Sequence, residues 1–455
     1  MSHDVDNRAA ASSTGSRHID DLLDQMERKI DDGEIPLSIL HDDSVFQMEL
    51  ERIFANSWMY VGHESEIPEP GDYRRRSIGT DPFLFVRDEH DDVRVFFNSC
   101  RHRASKLGRA EKGNTTHFRC PYHGWTYRNT GELVGVPRKG DGFDHIDPCE
   151  KGMLEATQVD SYHGLVFATM SATAPDLETY LGDAAWYLDM YFSLIDMEVL
   201  GDPHRWEVDI DWKVPTENFY GDNYHVQMGH KSAIDVGIGS DTATGKKSSK
   251  LYSISDVGGH SFSIYQIESD EPSFWGHPEE VVETFHPDRL SEEQYEVAYH
   301  SGVSLGSIFP NLSFIHLGGT NDPKKDTVGT FCLRQWQPIA PGKMEVWNWI
   351  MAPADAPESY KRRVYEAGMG TFSLSGNFEA DDIGIWRGID DAAESVFARK
   401  NDVSTVLSMG MGENAAAKEV HDWPGPGTIH EPGDVTDANQ LEFYKTWLKT
   451  MKEGV

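Results

Sequence analysis

One short stretch carries four residues whose types and spacing suit a metal site. Residues 100–125 read CRHRASKLGRAEKGNTTHFRCPYHGW, a Cys100-x-His102 pair followed after seventeen residues by Cys120-x-x-His123. Each half offers a soft thiolate and an imidazole, close enough in sequence to share the tip of one hairpin loop. A Cys₂His₂ set closes a tetrahedral zinc site. The same ligands also hold a [2Fe–2S] cluster, with both cysteines on one iron and both histidines on the other. Zinc fingers usually pair Cys with Cys and His with His along the chain, whereas each half here is mixed. Mixed halves suit a two-iron cluster, because each loop must then reach both irons.

A second constellation lies at residues 218–230, NFYGDNYHVQMGH. His225 and His230 stand five apart, and Asp222 lies three before the first. Two imidazoles and one carboxylate on one face of a mononuclear iron leave positions open for dioxygen. This stretch supplies the imidazoles if a carboxylate arrives from elsewhere. On an ideal α-helix, positions i and i+5 point about 140° apart, so a wider turn of the π-bulge kind is expected between them.

CRHRA followed by CPYHGWTY resembles the cluster loops of Rieske non-haem iron aromatic ring-hydroxylating dioxygenases, specifically their large (α) subunits. The string N-F-x-G-D-x-Y-H-x4-H resembles the iron-binding segment of the same family, and the likeness runs from about residue 40 to 400. It implies that Cys100, His102, Cys120 and His123 hold one [2Fe–2S] Rieske cluster. It also implies that His225, His230 and Asp382 hold one mononuclear Fe(II). Asp382 comes from matching Phe372–Phe378 (FSLSGNF) to the family's pocket segment, after which the second aspartate of Glu379-Ala380-Asp381-Asp382 falls on the ligand. Gly384 and Ile385 precede Trp386 where the family often has Glu-Asn-Trp, a departure that bears on hydrogen bonding around the site. Asp222 matches a bridging aspartate that links a cluster histidine of one subunit to an iron-bound histidine of the next. Asn218, Phe219, Phe372 and Phe378 match positions beside the iron or in the substrate pocket.

The implied reaction adds both atoms of O₂ to an aromatic ring, giving a cis-dihydrodiol, with electrons from NAD(P)H through a separate reductase, with or without a ferredoxin. The same iron chemistry serves Rieske monooxygenases that demethylate or hydroxylate a side chain, and this remains the alternative. The implied assembly is a trimer of α subunits, alone or with a small β subunit. An electron carrier or a zinc-binding structural protein is the reading from another class, against which His225, His230 and Asp382 argue.

The elements that must position these residues fall into two textures. Residues 1–17 read as a polar leader expected to be flexible, and His18–Glu34 has helical spacing, as does Ser44–Trp58. From Met59 onward, short strand-like runs alternate with turn signals: Phe83–Arg87, Val93–Asn98, Phe118–Arg119, Leu133–Val134 and Gly164–Thr169. Beyond residue 170, Asp176–Met190 reads as a helix and Trp206–Val214 as a strand. Strands follow at Ser261–Gln266, Leu312–Leu317, Phe331–Gln337 and Val346–Met351, with helices at Tyr360–Phe372 and Gln440–Met451. The expected architecture is α+β. Residues 1–40 are leader and N-terminal helix, 41–170 an all-β Rieske domain with its preceding helix, and 171–455 a catalytic domain. The resemblance makes that last domain a helix-grip fold with an antiparallel sheet.

Length and charge set the outer bounds. A chain of 455 residues exceeds one ordinary core, so two domains are expected. The formal charge of −35 would repel phosphates and argues against a nucleic-acid partner. No apolar run reaches membrane-span length and no signal segment opens the chain, so the expected location is cytoplasmic. There Cys149 and Cys332 are expected as unpaired thiols. Gly239–Ser248 (GSDTATGKKS) has the wrong spacing for a phosphate loop and reads as surface loop, and no GxGxxG unit offers a flavin or nicotinamide site.

Overall fold

A computed structural model describes residues 19–453; the leader expected at 1–17 lies outside them. The described chain separates into two compact units, Phe54–Leu177 and the remainder.

The smaller unit is built from three antiparallel sheets. Four strands run in the order Val93–Phe97, Asp81–Arg87, Asp72–Ile78, Lys112–Asn114. Three run His117–Arg119, Thr126–Arg128, Leu133–Gly135, and three run Gln158–Tyr162, Leu165–Thr169, Met59–His63. The hairpin joining Tyr162 to Leu165 turns on His163 and Gly164, both at positive φ (48° and 85°). That is the turn whose twist suits a two-residue hairpin. Leu84, Val86, Phe96, Phe118, Trp125 and Tyr127 form one buried cluster that also includes Cys100 and Cys120, so the thiols sit on the core itself.

The larger unit is an antiparallel sheet of ten strands with helices packed on it. Its centre runs Lys343–Pro353, Val328–Ala340, Leu312–Gly319, Ser301–Ile308, His260–Ile267, Ser249–Val257. Every residue of Ser301–Ile308 is buried, as a strand covered on both faces requires. The C-terminal helix Ala438–Glu453 buries Phe443, Trp447 and Met451 completely, one residue per turn along a single stripe. Each such apolar side chain contributes about 1.5–3 kcal/mol on full burial. That helix packs on Lys213–Gly221, the helix leading into the His225 segment.

Several expected elements differ in detail. The strand expected over Trp206–Val214 ends at Val208, and Val214 already lies in the helix Lys213–Gly221. The Asp211 carboxylate accepts from the Lys213 amide at 3.0 Å and starts that helix, and Pro215 is tolerated in its first turn. Asp176–Met190 is two helices, Leu177–Leu181 and Ala184–Phe192, separated at Gly182 with φ 48°. The segment grouped with the Rieske domain from residue 41 belongs, up to Ile53, to the larger unit. Glu49 explains this: its buried carboxylate accepts from Trp212 Nε1, Trp447 Nε1 and Lys213 Nζ at 2.7–3.0 Å.

Candidate metal centres

In the smaller unit the two Cys/His loops share one backbone device. The Cys100 amide donates to the Ser105 carbonyl and the Ala104 amide to the Cys100 carbonyl, each at 2.9 Å. In the other loop Cys120 pairs with Trp125 at 2.8 Å and Gly124 with Cys120 at 3.0 Å in the same pattern. Each loop closes through a residue at positive φ, Ala104 at 55° and Gly124 at 74°. The result brings His102 and His123 together, ring centroids 4.5 Å apart, with His102 stacked on Trp125 at 5.0 Å.

The Nδ1 atoms of both histidines are buried without any hydrogen-bond partner. A buried polar atom left unsatisfied is costly, and two of them on the same loops as two buried, unbridged thiols make a donor set that suits a metal. Two thiolates and two imidazole nitrogens are the ligands a Rieske cluster takes, so these residues fit it. Beside them, the Tyr127 hydroxyl accepts from the Arg101 amide at 3.0 Å and lies 3.3 Å from Cys100 Sγ. Its own proton is therefore free to point at the sulfur.

The second centre lies in the larger unit. His225 and His230 flank the single helical turn Val226–Gly229, and a second short helix starts at Lys231. This arrangement replaces the expected π-bulge: the chain breaks at His230 (φ −101°, ψ 14°) instead of widening a continuous helix. Among the described residues the π turn is elsewhere, at Leu50–Phe54. Asp382 comes from the long helix Asn377–Glu394, whose buried stripe includes Glu379, Asp382, Trp386 and Asp390.

Three atoms converge here. His225 Nε2 and His230 Nε2 are 3.3 Å apart, and Asp382 Oδ1 is 3.6 Å from the first and 3.3 Å from the second. Points with those separations lie on a circle of radius about 2.0 Å, the length of an ordinary bond from a divalent metal to imidazole or carboxylate. Asp382 Oδ1 is buried and makes no hydrogen bond. Burial pushes the Asp382 carboxyl up to about 7. Burial, followed by the facing charge of His225, takes His230 down to about 4. A dication at the common point would relieve both, since it favours the anionic carboxylate and the neutral imidazoles.

The other nitrogens are held as well. His225 Nδ1 lies 2.6 Å from the Asp222 carbonyl oxygen and 3.3 Å from its carboxylate. Burial disfavours protonating His225, but the Asp222 contact outweighs it and raises the imidazole. Asn218 Nδ2 sits 3.3 Å from the same Nδ1 and 3.4 Å from the Asp222 carboxylate. His230 Nδ1 faces Asp381 Oδ2 at 3.4 Å. Metal-bound histidines are commonly oriented through their second nitrogen in this way.

A cavity opens beside these atoms. Asn218, Phe219, Phe372 and Phe378 line it, as do Leu305 and Ile315 from the sheet. Phe378 packs edge-on to His230 with centroids 4.8 Å apart. Among the described residues no lysine or arginine lines the cavity; its charged side chains besides the histidines are Asp222, Asp382 and Asp434.

Known proteins share this organisation. Residues 57–163 match the Rieske [2Fe-2S] domain, and residues 177–423 match the ring hydroxylating alpha subunit catalytic domain. The chain belongs to the ring-hydroxylating α-subunit family. It is 34% identical to the N,N-dimethyl phenylurea N-demethylase subunit alpha of Sphingobium sp. (strain YBL2), over 98% of this chain and 97% of that one. It is 32% identical to the biphenyl 2,3-dioxygenase subunit alpha of Rhodococcus jostii (strain RHA1), over 92% and 89%. The crystal structure of naphthalene 1,2-dioxygenase from Rhodococcus sp. bound to indole superposes with a TM-score of 0.89 at 37% identity, covering 95% and 97% of the two chains. As a ring-hydroxylating α subunit, the protein is an oxidoreductase, the large component of a terminal oxygenase, with a Rieske cluster and a mononuclear iron.

Sequence reasoning missed three contributors. Asp381 was placed beside the ligand without a role, although it is the residue against His230 Nδ1. Tyr127 carried one signal, a polar aromatic two residues after Trp125 in a cluster loop. Arg334 carried another, a lone charge inside the strand run FCLRQWQ.

Proposed function

We propose that this α subunit dihydroxylates a neutral, apolar aromatic ring with O₂ to a cis-dihydrodiol. The observation that carries the reading is the apolar cavity, without lysine or arginine among the described residues, beside the His225–His230–Asp382 triangle. Cys100, His102, Cys120 and His123 would hold the cluster, and His225, His230 and Asp382 the iron. When bound, the cluster supplies electrons one at a time and the mononuclear iron activates dioxygen.

The chain's own residues do the rest. Phe219, Phe372 and Phe378 exclude water and bind a ring by contact. Asp222 and Asp381 fix the two imidazoles through their outer nitrogens. A carboxylated ring would bury its charge among Asp222, Asp382 and Asp434 with no lysine or arginine among the described residues to pair it, which is costly.

Asp222 is further proposed as the bridge between His225 and a cluster histidine of a neighbouring chain in an α₃ or α₃β₃ assembly, with a reductase and a ferredoxin delivering electrons. Of the three expected segments, 1–40, 41–170 and 171–455, the proposed organisation moves 41–53 out of the Rieske domain, whose core begins at Phe54. No helix among the described residues is long and apolar enough to cross a membrane. The unbridged cysteines suit a reducing, cytoplasmic compartment.

One relative favours a second reading. The N-demethylase α subunit matches almost the full chain, and demethylation uses the same two centres. The test is turnover of biphenyl, naphthalene, benzoate and N,N-dimethyl phenylurea with reductase and ferredoxin under mixed ¹⁶O₂ and ¹⁸O₂. Dioxygenation gives diols whose two oxygens come from one O₂ molecule. Formaldehyde from the urea without diol from any arene would establish demethylation in its place.

A further inference from the structure

The buried stripe of the helix Asn377–Glu394 carries three carboxylates, and each meets a different partner. Asp390 accepts from the Asp211 amide at 3.0 Å and lies 2.6 Å from His41 Nε2. Asp382 faces the two histidine nitrogens of the iron site. Glu379, one turn before Asp382 on the same face, lies 2.6 Å from Arg334, and both side chains are 0% exposed. Neither has another polar partner among the described residues.

Arg334 comes from the strand Val328–Ala340, and its guanidinium sits inside an aromatic box. The centroids of Trp336, Phe219, Trp206 and Phe372 lie 4.7, 5.3, 5.9 and 5.9 Å from its central carbon. Phe219 belongs to the helix that leads into His225, and Phe372 ends the helix before Asn377. The cation is thus fixed between the segments that carry the two halves of the ligand set.

We propose that Arg334 is a positioning residue for the iron site. By pairing with Glu379 it neutralises the carboxylate one turn from Asp382 and holds that helix face in register with His225 and His230. This rests on the assignment of those three residues as iron ligands. The physical reason is asymmetric. A buried ion pair adds little over apolar replacements, but removing one partner leaves a buried charge uncompensated. An unpaired Glu379 would have to move toward solvent, taking the Asp382 turn with it, or would compete with Asp382 for the cation. An unpaired Arg334 would repel the metal. Replacing both would remove the conflict.

The experiment is an anaerobic Fe(II) titration against a chelator, with Rieske absorbance as the internal measure of folded protein. Arg334→Met and Glu379→Gln should each weaken Fe(II) binding about 10–100-fold, the range for residues that support metal ligands, with the cluster spectrum unchanged. The double variant should bind Fe(II) at least about threefold tighter than either single one, because the two charges are removed together. A role in stability alone would lower the melting temperature without this recovery. Should Arg334→Met fail to fold, Glu379→Gln against the double variant gives the same comparison. A double variant that binds no tighter than the single one overturns the proposal. His225→Ala is the control: if it keeps its mononuclear iron, the ligand assignment fails, and if only the Arg334 cycle is flat, the positioning role alone does.

Discussion

Asp381 and Asp382, adjacent in sequence, approach opposite nitrogens of one imidazole. Asp381 Oδ2 lies 3.4 Å from His230 Nδ1, and Asp382 Oδ1 lies 3.3 Å from His230 Nε2. The pair separates ligand from support. Asp382→Ala should lose the mononuclear iron and turnover while keeping the cluster spectrum. Asp381→Ala should retain iron with affinity lowered about 10–100-fold. Iron per chain, measured against cluster absorbance, checks both, and the reverse ranking would move the ligand by one residue.

Tyr127 is placed to tune the other centre. Its hydroxyl accepts from the Arg101 amide and faces Cys100 Sγ at 3.3 Å. Hydrogen bonds to ligand sulfurs raise the potential of a cluster, because they stabilise its more negative, reduced form. Tyr127→Phe should therefore lower the Rieske midpoint potential by about 40 mV for each ~1 kcal/mol of hydrogen bonding lost from the reduced state. Redox titration followed by the cluster absorbance reads this directly, and an unchanged midpoint would remove Tyr127 from that role.

His41 ties the N-terminal segment to the ligand helix. Its hydrogen bond to Asp390 raises the imidazole above its ordinary value of 6.5, against the opposing effect of burial. A raised value in the folded state means the contact stabilises fully below the unfolded value and fades as pH rises through the folded one. His41→Gln should therefore cost about 1–2 kcal/mol at pH 5.5 and clearly less at pH 9. Denaturant unfolding of both proteins at the two pH values measures the difference. A gap that widens with pH would contradict the pairing.

What was legible in the sequence was what is local. Cys100 with His102, Cys120 with His123, and His225 with His230 are pairs within a single loop or turn, so their spacing carries the chemistry. Asp382 is not local: it lies 152 positions beyond His230, and two adjacent aspartates offered no spacing rule to choose between them. The π-bulge expectation erred because it assumed a continuous helix, whereas a one-turn helix ending at His230 turns both rings inward. Strands of the catalytic sheet were found where apolar residues ran together. Ser249–Val257 and Ser301–Ile308 were missed because serines dilute their pattern. The ion pair of Arg334 with Glu379 could not be read at all, since nothing in sequence links a charge in a strand to one in a helix 45 positions later.

A single chain with both centres intact should hold three irons and two acid-labile sulfides, one cluster and one mononuclear ion. Cys100→Ser should lose the cluster and its sulfide while retaining the mononuclear iron. Tightly bound zinc with no labile sulfide would return the Cys/His loops to a structural role.

In the function proposed above, the two centres work as one unit between neighbouring chains, joined at Asp222 beside His225. The direct measurement is turnover by mixed oligomers of a cluster-dead chain, Cys100→Ser, and an iron-dead chain, His225→Ala, each inactive alone. Co-assembly should restore hydroxylated product, and adding Asp222→Asn to the Cys100→Ser chain, whose intact iron would receive the electron, should slow it with both metals retained. Mixed oligomers of verified composition that form no product would contradict it.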